Sequence, residues 1–375
     1  MHTYFLQLGT TPKLSFEELV SVLGAKKLEL IAEYIVRFES TEEINARELQ
    51  DRLGGCVKIL QQVSVLPAVT PKDVAIAIAA TIEGKITFAY GEFNRADEES
   101  IDAGEIKKEL VAIDRSVRFV EGKRSGVSAA ILLHQKKVQE FIVIATETES
   151  YLARTMAVQN IDDWTLRDRR KPYADRKKGM LPPKVARILL NINRPYDAAE
   201  NRVVLDPFCG SGNILLENAM LREAGIGIDL DKNSVAGTVD NLRWLSETYQ
   251  QPHNQQVYPG DATHIPESIS RNVTAIVTEP FLGKPKPKPE QVPDIFRGLG
   301  KLYLGAFKSW KKFLPNGAPI TIVFPHTQVG ETVYNMDRLI DKLLALGYTI
   351  TSGPIKYSRP DAIVSRSIYT FILKK

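Results

Sequence analysis

Val203-Val204-Leu205-Asp206-Pro207-Phe208-Cys209-Gly210-Ser211-Gly212-Asn213-Ile214-Leu215-Leu216 reads as a buried strand, a sharp glycine turn and the start of an apolar helix. Gly210 and Gly212 let the backbone come close to a ligand, and a helix starting at Asn213 offers unpaired N–H groups. Asp206, at the carboxyl end of the strand, adds a fixed negative charge beside the turn. A dinucleotide site would carry glycine there, in the order G-x-G-x-x-G, so a nicotinamide dehydrogenase fits poorly. The acid suits a ligand that carries positive charge. An ordinary tight turn is the plain alternative. Cys209 reads as a small residue filling the turn, with a nucleophile as the alternative.

Downstream, strands and helices keep alternating, which predicts a Rossmann-like α/β sheet. Ile226-Gly227-Ile228-Asp229 is the second strand. It ends in a carboxylate about 20 residues past the glycine turn, the distance at which an acid reaches ribose hydroxyls. Asp229 could instead cap the next helix, although Asp231 suits that role better. Gln256–Ala262 reads as a third strand with Asp261 at its tip. Ala275-Ile276-Val277 is the fourth, running into Thr278-Glu279-Pro280-Phe281-Leu282-Gly283. Lys284-Pro285-Lys286-Pro287-Lys288-Pro289 is either an extended linker or a set of phosphate contacts. Helices over 302–313 and 336–346, a strand over 320–324 and a closing pair over 348–357 and 367–373 complete the pattern.

The Asp206-Pro207-Phe208-Cys209-Gly210-Ser211-Gly212 form resembles motif I of the nucleic-acid amino-methyltransferases. Arg170-Lys171-Pro172-Tyr173, with Gly179-Met180-Leu181-Pro182-Pro183-Lys184-Val185-Ala186-Arg187, resembles the lead-in of the THUMP-domain tRNA guanosine-N2 methyltransferases of the position-10 type. Ser365-Arg366-Ser367-Ile368-Tyr369 resembles that family's terminal strand. The resemblance implies a class I methyltransferase sheet with a final antiparallel hairpin. It also implies S-adenosylmethionine as cofactor and a tRNA guanosine, presented flipped out, as methyl acceptor. Asp206, Pro207, Gly210, Gly212, Asp229, Asp261 and Ala262 are then the cofactor-binding candidates, Asp261 beside the adenine, with a loop cap as its plain alternative.

At the fourth strand the amino-methyltransferases carry Asp- or Asn-Pro-Pro-Tyr or -Phe. An exocyclic amine conjugated to its ring is a poor nucleophile. An acidic or amide oxygen and a backbone carbonyl accept its hydrogens, an aromatic ring stacks on the base, and positioning supplies much of the rate. This chain departs from that pattern. With Gly283 kept in register, Glu279 replaces the acid, Pro280 is retained, Phe281 takes the second proline's place and Leu282 the aromatic's. A shift of one residue would put Thr278 where the acid belongs. The first register makes Glu279, Pro280 and Phe281 the catalytic candidates, with Phe281 as a substitute stacking platform.

Ahead of these motifs, Tyr4-Phe5-Leu6-Gln7-Leu8 alternates like a strand, and Ser15 with Glu18 reads as a capping box. A β-rich run over 28–38, a helix starting at Ser40 or Thr41 and ending at Gly54-Gly55, and a strand over 57–60 give a β-α-β-α-β order, ferredoxin-like in outline. Thr70-Pro71 launches a helix, followed by a strand over 86–90, a helix over 101–113, and strands over 117–120, 129–133 and 141–145. With its Gly122-to-Ala145 strand-turn-strand tail, this half resembles the ferredoxin-like plus THUMP arrangement of RNA-modifying enzymes, in which the THUMP unit grips the tRNA acceptor end. The expected division is a ferredoxin-like domain over 1–66, a THUMP-like domain over 67–150, a basic linker over 151–180 and a methyltransferase domain over 181–375.

The 375 residues suit more than one domain, and 43% hydrophobic with 25% charged content is ordinary for a soluble protein. The net charge of +4 is modest but uneven. Cations crowd between Arg167 and Arg187, either as a solvated face or as a phosphate-backbone footprint. Arg124, Arg169, Arg170, Lys171, Arg176, Lys177, Lys284 and Lys286 are the RNA-binding candidates, with tRNA as the expected partner. Cys56 and Cys209 lie far apart, and His253, His264 and His326 form no ligand cluster, so no metal is expected. Lone cysteines, no membrane-length apolar run and no basic leader predict a cytoplasmic address without membrane partners. A small activator subunit is left unidentified. Two rival functions stand beside the tRNA enzyme: a non-catalytic tRNA-binding protein with a degenerate site, and a DNA amino-methyltransferase, which the THUMP-like half disfavours.

Overall fold

The computed structural model describes residues 1–175, 179–197, 199–358 and 362–375. Two compact units, Met1–Asp163 and Trp164–Lys375, are each built on their own sheet.

The first unit opens with β1 (His2–Leu8), α1 (Pro12–Leu23), β2 (Leu28–Ala32), β3 (Ile35–Ser40), α2 (Ala46–Arg52) and β4 (Cys56–Leu66). The β-rich run over 28–38 thus folds as a hairpin, turning at Glu33-Tyr34, and the order becomes β-α-β-β-α-β. The spatial order β2-β3-β1-β4 is ferredoxin-like. Helix α1 starts earlier than the capping-box reading placed it. Pro12, with its φ preset for a first helical turn, follows the N-cap Thr11. Ser15 lies inside the helix and donates its hydroxyl to the Thr11 carbonyl at 3.1 Å. Glu18 is buried, and its two oxygens accept the N–H groups of Gly54 and Gly55 at 2.8 Å each. Helix α2 starts after Asn45, whose side chain accepts from the Glu48 N–H, rather than at Ser40 or Thr41.

The rest of the unit comprises α3 (Pro71–Ala79), β5 (Ile86–Phe93), α4 (Ala103–Ala112), β6 (Val117–Phe119), α5 (Ala129–His134), β7 (Gln139–Ala145) and β8 (Ser150–Val158). Residues 129–133, expected as a strand, form α5. Ser128 caps it by accepting from Ile131 N–H, and the alanines and leucines of Ala-Ala-Ile-Leu-Leu are good helix formers. The tail over 122–145 is therefore turn, helix and strand. β8, which sequence periodicity passed over, pairs antiparallel with both β4 and β7. The sheet consequently runs unbroken in the order β2-β3-β1-β4-β8-β7-β5-β6.

Helix α6 (Ile161–Arg169) carries the chain into the second unit. There follow α7 (Pro183–Asn193), β9 (Val203–Asp206), α8 (Asn213–Met220), β10 (Ala224–Asp229), α9 (Lys232–Tyr249), β11 (Gln255–Pro259), α10 (Glu267–Ser270) and β12 (Ala275–Thr278). Then come α11 (Val292–Phe313), β13 (Pro319–Val329), β14 (Thr332–Tyr334), α12 (Asp337–Ala345), β15 (Tyr348–Tyr357) and β16 (Ser365–Leu373). The sheet order is β11-β10-β9-β12-β13-β16-β15, parallel as far as β13 and antiparallel at β16 and β15. This is the expected α/β sheet with its closing hairpin. Strands β9 and β12, and β13 over its first seven residues, are buried on both faces, as mostly apolar runs in a parallel sheet are. The largest core cluster joins Leu205, Ile276 and Ile320 on the sheet to Phe307 and Trp310 on α11. Among the described residues no helix is long and apolar enough to cross a membrane.

Candidate active site

Parallel strands end together at one edge of a sheet, and the reversal of strand order between β9 and β12 opens a crevice there. The glycine turn lies in it. Gly210 and Gly212 take positive φ of 52° and 79°, and a Cβ on Gly212 would sit 2.5 Å from Thr238 Cγ2. Glycine is therefore required at 212 by conformation and by space. Cys209 is buried, and its thiol is pushed well above its ordinary range, first by burial and then by Asp206 and Asp229. It fills space in the turn, and burial disfavours the thiolate that a nucleophile would need.

A cleft forms over this turn, lined by Asp206, Phe208, Gly210, Ser211, Asn213, Ser234 and Glu279, and walled by Asp175, Gly179, Met180 and Leu181. Asp206 is 2% exposed. Its Oδ1 accepts from the Thr278 hydroxyl at 2.7 Å and from the Phe208 N–H at 3.3 Å. Burial nonetheless pushes its carboxyl up to about 7, with the charges of Asp229 and Glu279 adding to the rise and the two hydrogen bonds opposing it. A pocket that crowds carboxylates in a poorly solvated place fits a cation and repels a pyrophosphate. The residues present thus fit S-adenosylmethionine, whose sulfonium and ammonium are positive.

Of the residues singled out from sequence, Asp206, Gly210 and Glu279 line the cleft. Pro207 is buried behind it, and Gly212 starts α8. Asp229 stands behind the turn, where its Oδ2 accepts the Gly210 N–H and its Oδ1 the Asp231 N–H, each at 2.9 Å. Asp231 caps α9. Asp261 lies past the end of β11 and folds back on its own loop, accepting from the Thr263 N–H and hydroxyl at 2.8 Å each. The backbone N–H of Thr263 is the main reason its carboxyl lies below the usual range. The Ala262 carbonyl accepts the Trp310 indole N–H at 3.1 Å. Neither Asp229 nor Asp261 is among the residues lining the cleft.

At the end of β12, Thr278 is fully buried and spent on Asp206, whereas Glu279 faces the cleft. Pro280 is buried and Phe281 is 55% exposed. The buried Tyr303 donates its hydroxyl to the Phe281 carbonyl at 2.6 Å, which pins the Glu-Pro-Phe bend to α11. Arg366, on β16, donates Nε to Glu279 Oε1 at 2.5 Å. In sequence Arg366 is one residue of the terminal strand 365–369, and nothing beside it there points to Glu279, which is 87 positions away.

The described parts of the lead-in, residues 170–175 and 179–187, pack against the turn rather than forming a free basic arm. Lys171, grouped with the RNA-binding cations, is 5% exposed and donates to Asn213 Oδ1, while Asn213 Nδ2 donates to the Leu181 carbonyl at 2.5 Å. Burial lowers the Lys171 ammonium to about 8. Lys171 is therefore removed from the surface set. Asn241 on α9 accepts the Tyr173 N–H at 2.8 Å and donates to the carbonyls of Tyr173 and Ser211 at 2.9 Å each. Gly237 makes room for the tyrosine, since a Cβ there would lie 2.1 Å from its ring. A glycine in mid-helix was the signal that could have found this seat. Arg167 and Arg187 also point inward, meeting the two oxygens of Glu217 at 2.7 and 2.8 Å, with the Arg167 guanidinium 4.2 Å from the Trp164 ring centre. Arg169, Arg170, Lys284 and Lys286 are exposed. Arg124 is exposed too and pairs with Asp97. Arg176 and Lys177 lie outside the described residues. Among the described residues no three His, Cys, Asp or Glu side chains converge as a metal site.

Fold and cleft together define a class I methyltransferase. Residues 169–339 match the UPF0020 family of RMKL-like methyltransferase domains. The tRNA (guanine(10)-N2)-dimethyltransferase of Pyrococcus abyssi is 31% identical over 136 residues, 36% of this chain and 38% of that one. The Methanothermobacter thermautotrophicus protein of the same name is 29% identical over 168 residues, 45% of this chain and 44% of that one. The Methanothermococcus thermolithotrophicus protein, called "Probable tRNA (guanine(10)-N2)-dimethyltransferase", is 31% identical over 118 residues, 31% of this chain and 71% of that one. The chain belongs to this position-10 tRNA guanosine-N2 methyltransferase family, though it spans less than half the length of the first two relatives. In fold it is similar over nearly its whole length to TrmN from Thermus thermophilus, with a TM-score of 0.57 at 18% identity, covering 99% of this chain and 100% of that one. It is also similar to SMU.472, solved as a complex with SAH, with a TM-score of 0.52 at 11% identity, covering 100% of this chain and 99% of that one.

Proposed function

We propose that this protein methylates the exocyclic N2 amine of a guanosine in tRNA, at position 10, using S-adenosylmethionine. The observation that carries the reading is the meeting of Asp206, Gly210 and Glu279 in one cleft. When bound, the cofactor supplies an electrophilic methyl group. Asp206 counters positive charge at the floor of the cleft, Gly210 and Gly212 allow close backbone approach, and the carboxylates of Asp229 and Asp261 belong to the same cofactor set. Glu279 and the Pro280 carbonyl accept the hydrogens of the amine, which keeps electron density on its nitrogen. The exposed Phe281 ring offers a face on which a flipped base can stack. Arg124, Arg169, Arg170, Lys284 and Lys286 supply phosphate contacts.

Thr278 cannot serve as the amine acceptor, because its hydroxyl is buried and already given to Asp206. The Pyrococcus abyssi and Methanothermobacter thermautotrophicus relatives both carry the name of a tRNA guanine-N2 enzyme, which supports tRNA as the substrate. Mapping methylguanosine in tRNA from cells with and without the protein tests this. Loss of N2-methylguanosine at position 10 is expected. An unchanged tRNA profile, or loss of a methylated base from DNA instead, would contradict it.

A further inference from the structure

Glu279 is one methylene longer than the aspartate its position resembles, so it has one more bond about which to swing away from an amine. The structure shows what restrains it. Strand β12 lies beside β13, with Thr278 opposite Ile322, and β13 lies beside β16, with Pro325 opposite Arg366. Arg366 therefore reaches across β13 to place Nε 2.5 Å from Glu279 Oε1, with the two side chains only 10% and 12% exposed. On its other side, β15 sets Tyr357 opposite Arg366, and the guanidinium lies 5.7 Å from that ring centre. Oε2 of Glu279 has no hydrogen-bond partner among the described residues, and the side chain lines the cleft.

We propose that Arg366 is a positioning residue, which holds Oε1 of Glu279 so that Oε2 is the single oxygen presented to the substrate amine. It compensates, from a strand distant in sequence, for the glutamate at 279. The inference rests on the proposed amine methylation, and it makes no contact between Arg366 and substrate. Among the described residues Nε alone of the guanidinium donates to Glu279, so a lysine at 366 can partly replace the arginine, whereas alanine cannot.

The test measures methyl transfer to unmodified tRNA by wild type, R366A, R366K, E279A and R366A/E279A, each checked for folding by circular dichroism and for cofactor affinity by calorimetry. R366A should lower kcat about tenfold to a hundredfold with KM for tRNA changed less than about twofold. R366K should recover part of it, and the double variant should be no slower than E279A alone. Equal losses from R366A in the presence and absence of Glu279 would overturn the proposal, as would full activity of folded R366A. A readout without RNA separates this from the parent reading. Glu279 helps raise the Asp206 carboxyl, so removing its counter-ion should move the apparent pKa of cofactor binding upward in R366A. If wild type transfers nothing to tRNA, the methylation reading fails. That titration then decides the pairing alone: an upward move upholds it, and no move overturns it.

Discussion

Asp206 holds more chemistry than its place in a glycine motif suggests. Its folded-state pKa is raised to about 7, above the ordinary aspartate value. The stability it contributes is therefore fully present at low pH and is lost as pH rises through about 7. A cationic ligand reverses the preference and expels the proton. Affinity for S-adenosylmethionine should rise about tenfold per pH unit up to about pH 7 and flatten above it, and Asp206→Asn should abolish that slope. Calorimetry between about pH 6 and pH 8 checks this, and a flat profile in wild type would contradict it. Gly212→Ala should cost on the order of 1–3 kcal/mol in urea unfolding and weaken cofactor binding, because its φ is positive and Thr238 fills the space. At this scale the motif residues were legible because their chemistry is written in their own spacing. The direction in which a cation points was not. Lys171 and Arg170 look alike in sequence, yet one is buried against Asn213 and the other is exposed.

Among the elements, periodicity located most of the sheet and misjudged several ends. Helix α1 begins at Pro12 because proline fits a first turn, so the Ser15 hydroxyl was never needed as a cap. Helix α5 lies where periodicity predicts a strand over 129–133, because five apolar residues satisfy either period, and its cap Ser128 decides the matter. The described residues of the lead-in show what a basic run conceals. Glu217 is fully buried between Arg167 and Arg187, so α6 and α7 are tied to α8 by charge as well as by apolar packing. Glu217→Gln should remove the buried carboxylate charge that faces Arg167 and Arg187 and cost about 3–5 kcal/mol, read by urea unfolding. A loss below about 1 kcal/mol would mean that the group is hydrated in solution. Gly237→Ala should dislodge Tyr173 and lower cofactor affinity without altering the salt dependence of RNA binding.

For the molecule as a whole, the exposed cations are separable from the cleft. Replacing Lys284 and Lys286 together by alanine should reduce the slope of log affinity for tRNA against log salt by about 1–2 and leave cofactor binding intact. An unchanged slope would remove the lysine-proline run from the RNA interface. The class of the second unit was readable because strand-turn-helix order, an acid at two strand tips and a closing hairpin all point one way. The continuity of the first sheet through β8 was not, since pairing between strands far apart in sequence leaves no local trace.

The central claim is that the Asp206–Gly210–Glu279 cleft moves a methyl group onto guanosine N2. The most direct measurement incubates the purified full chain with methyl-labelled S-adenosylmethionine and an unmodified tRNA transcript, then digests the RNA to nucleosides. Label in N2-methylguanosine from position 10, lost when that guanosine is replaced by adenosine, is the predicted result. A protein that binds cofactor by calorimetry yet leaves every tRNA guanosine unlabelled, or labels duplex DNA instead, would contradict it.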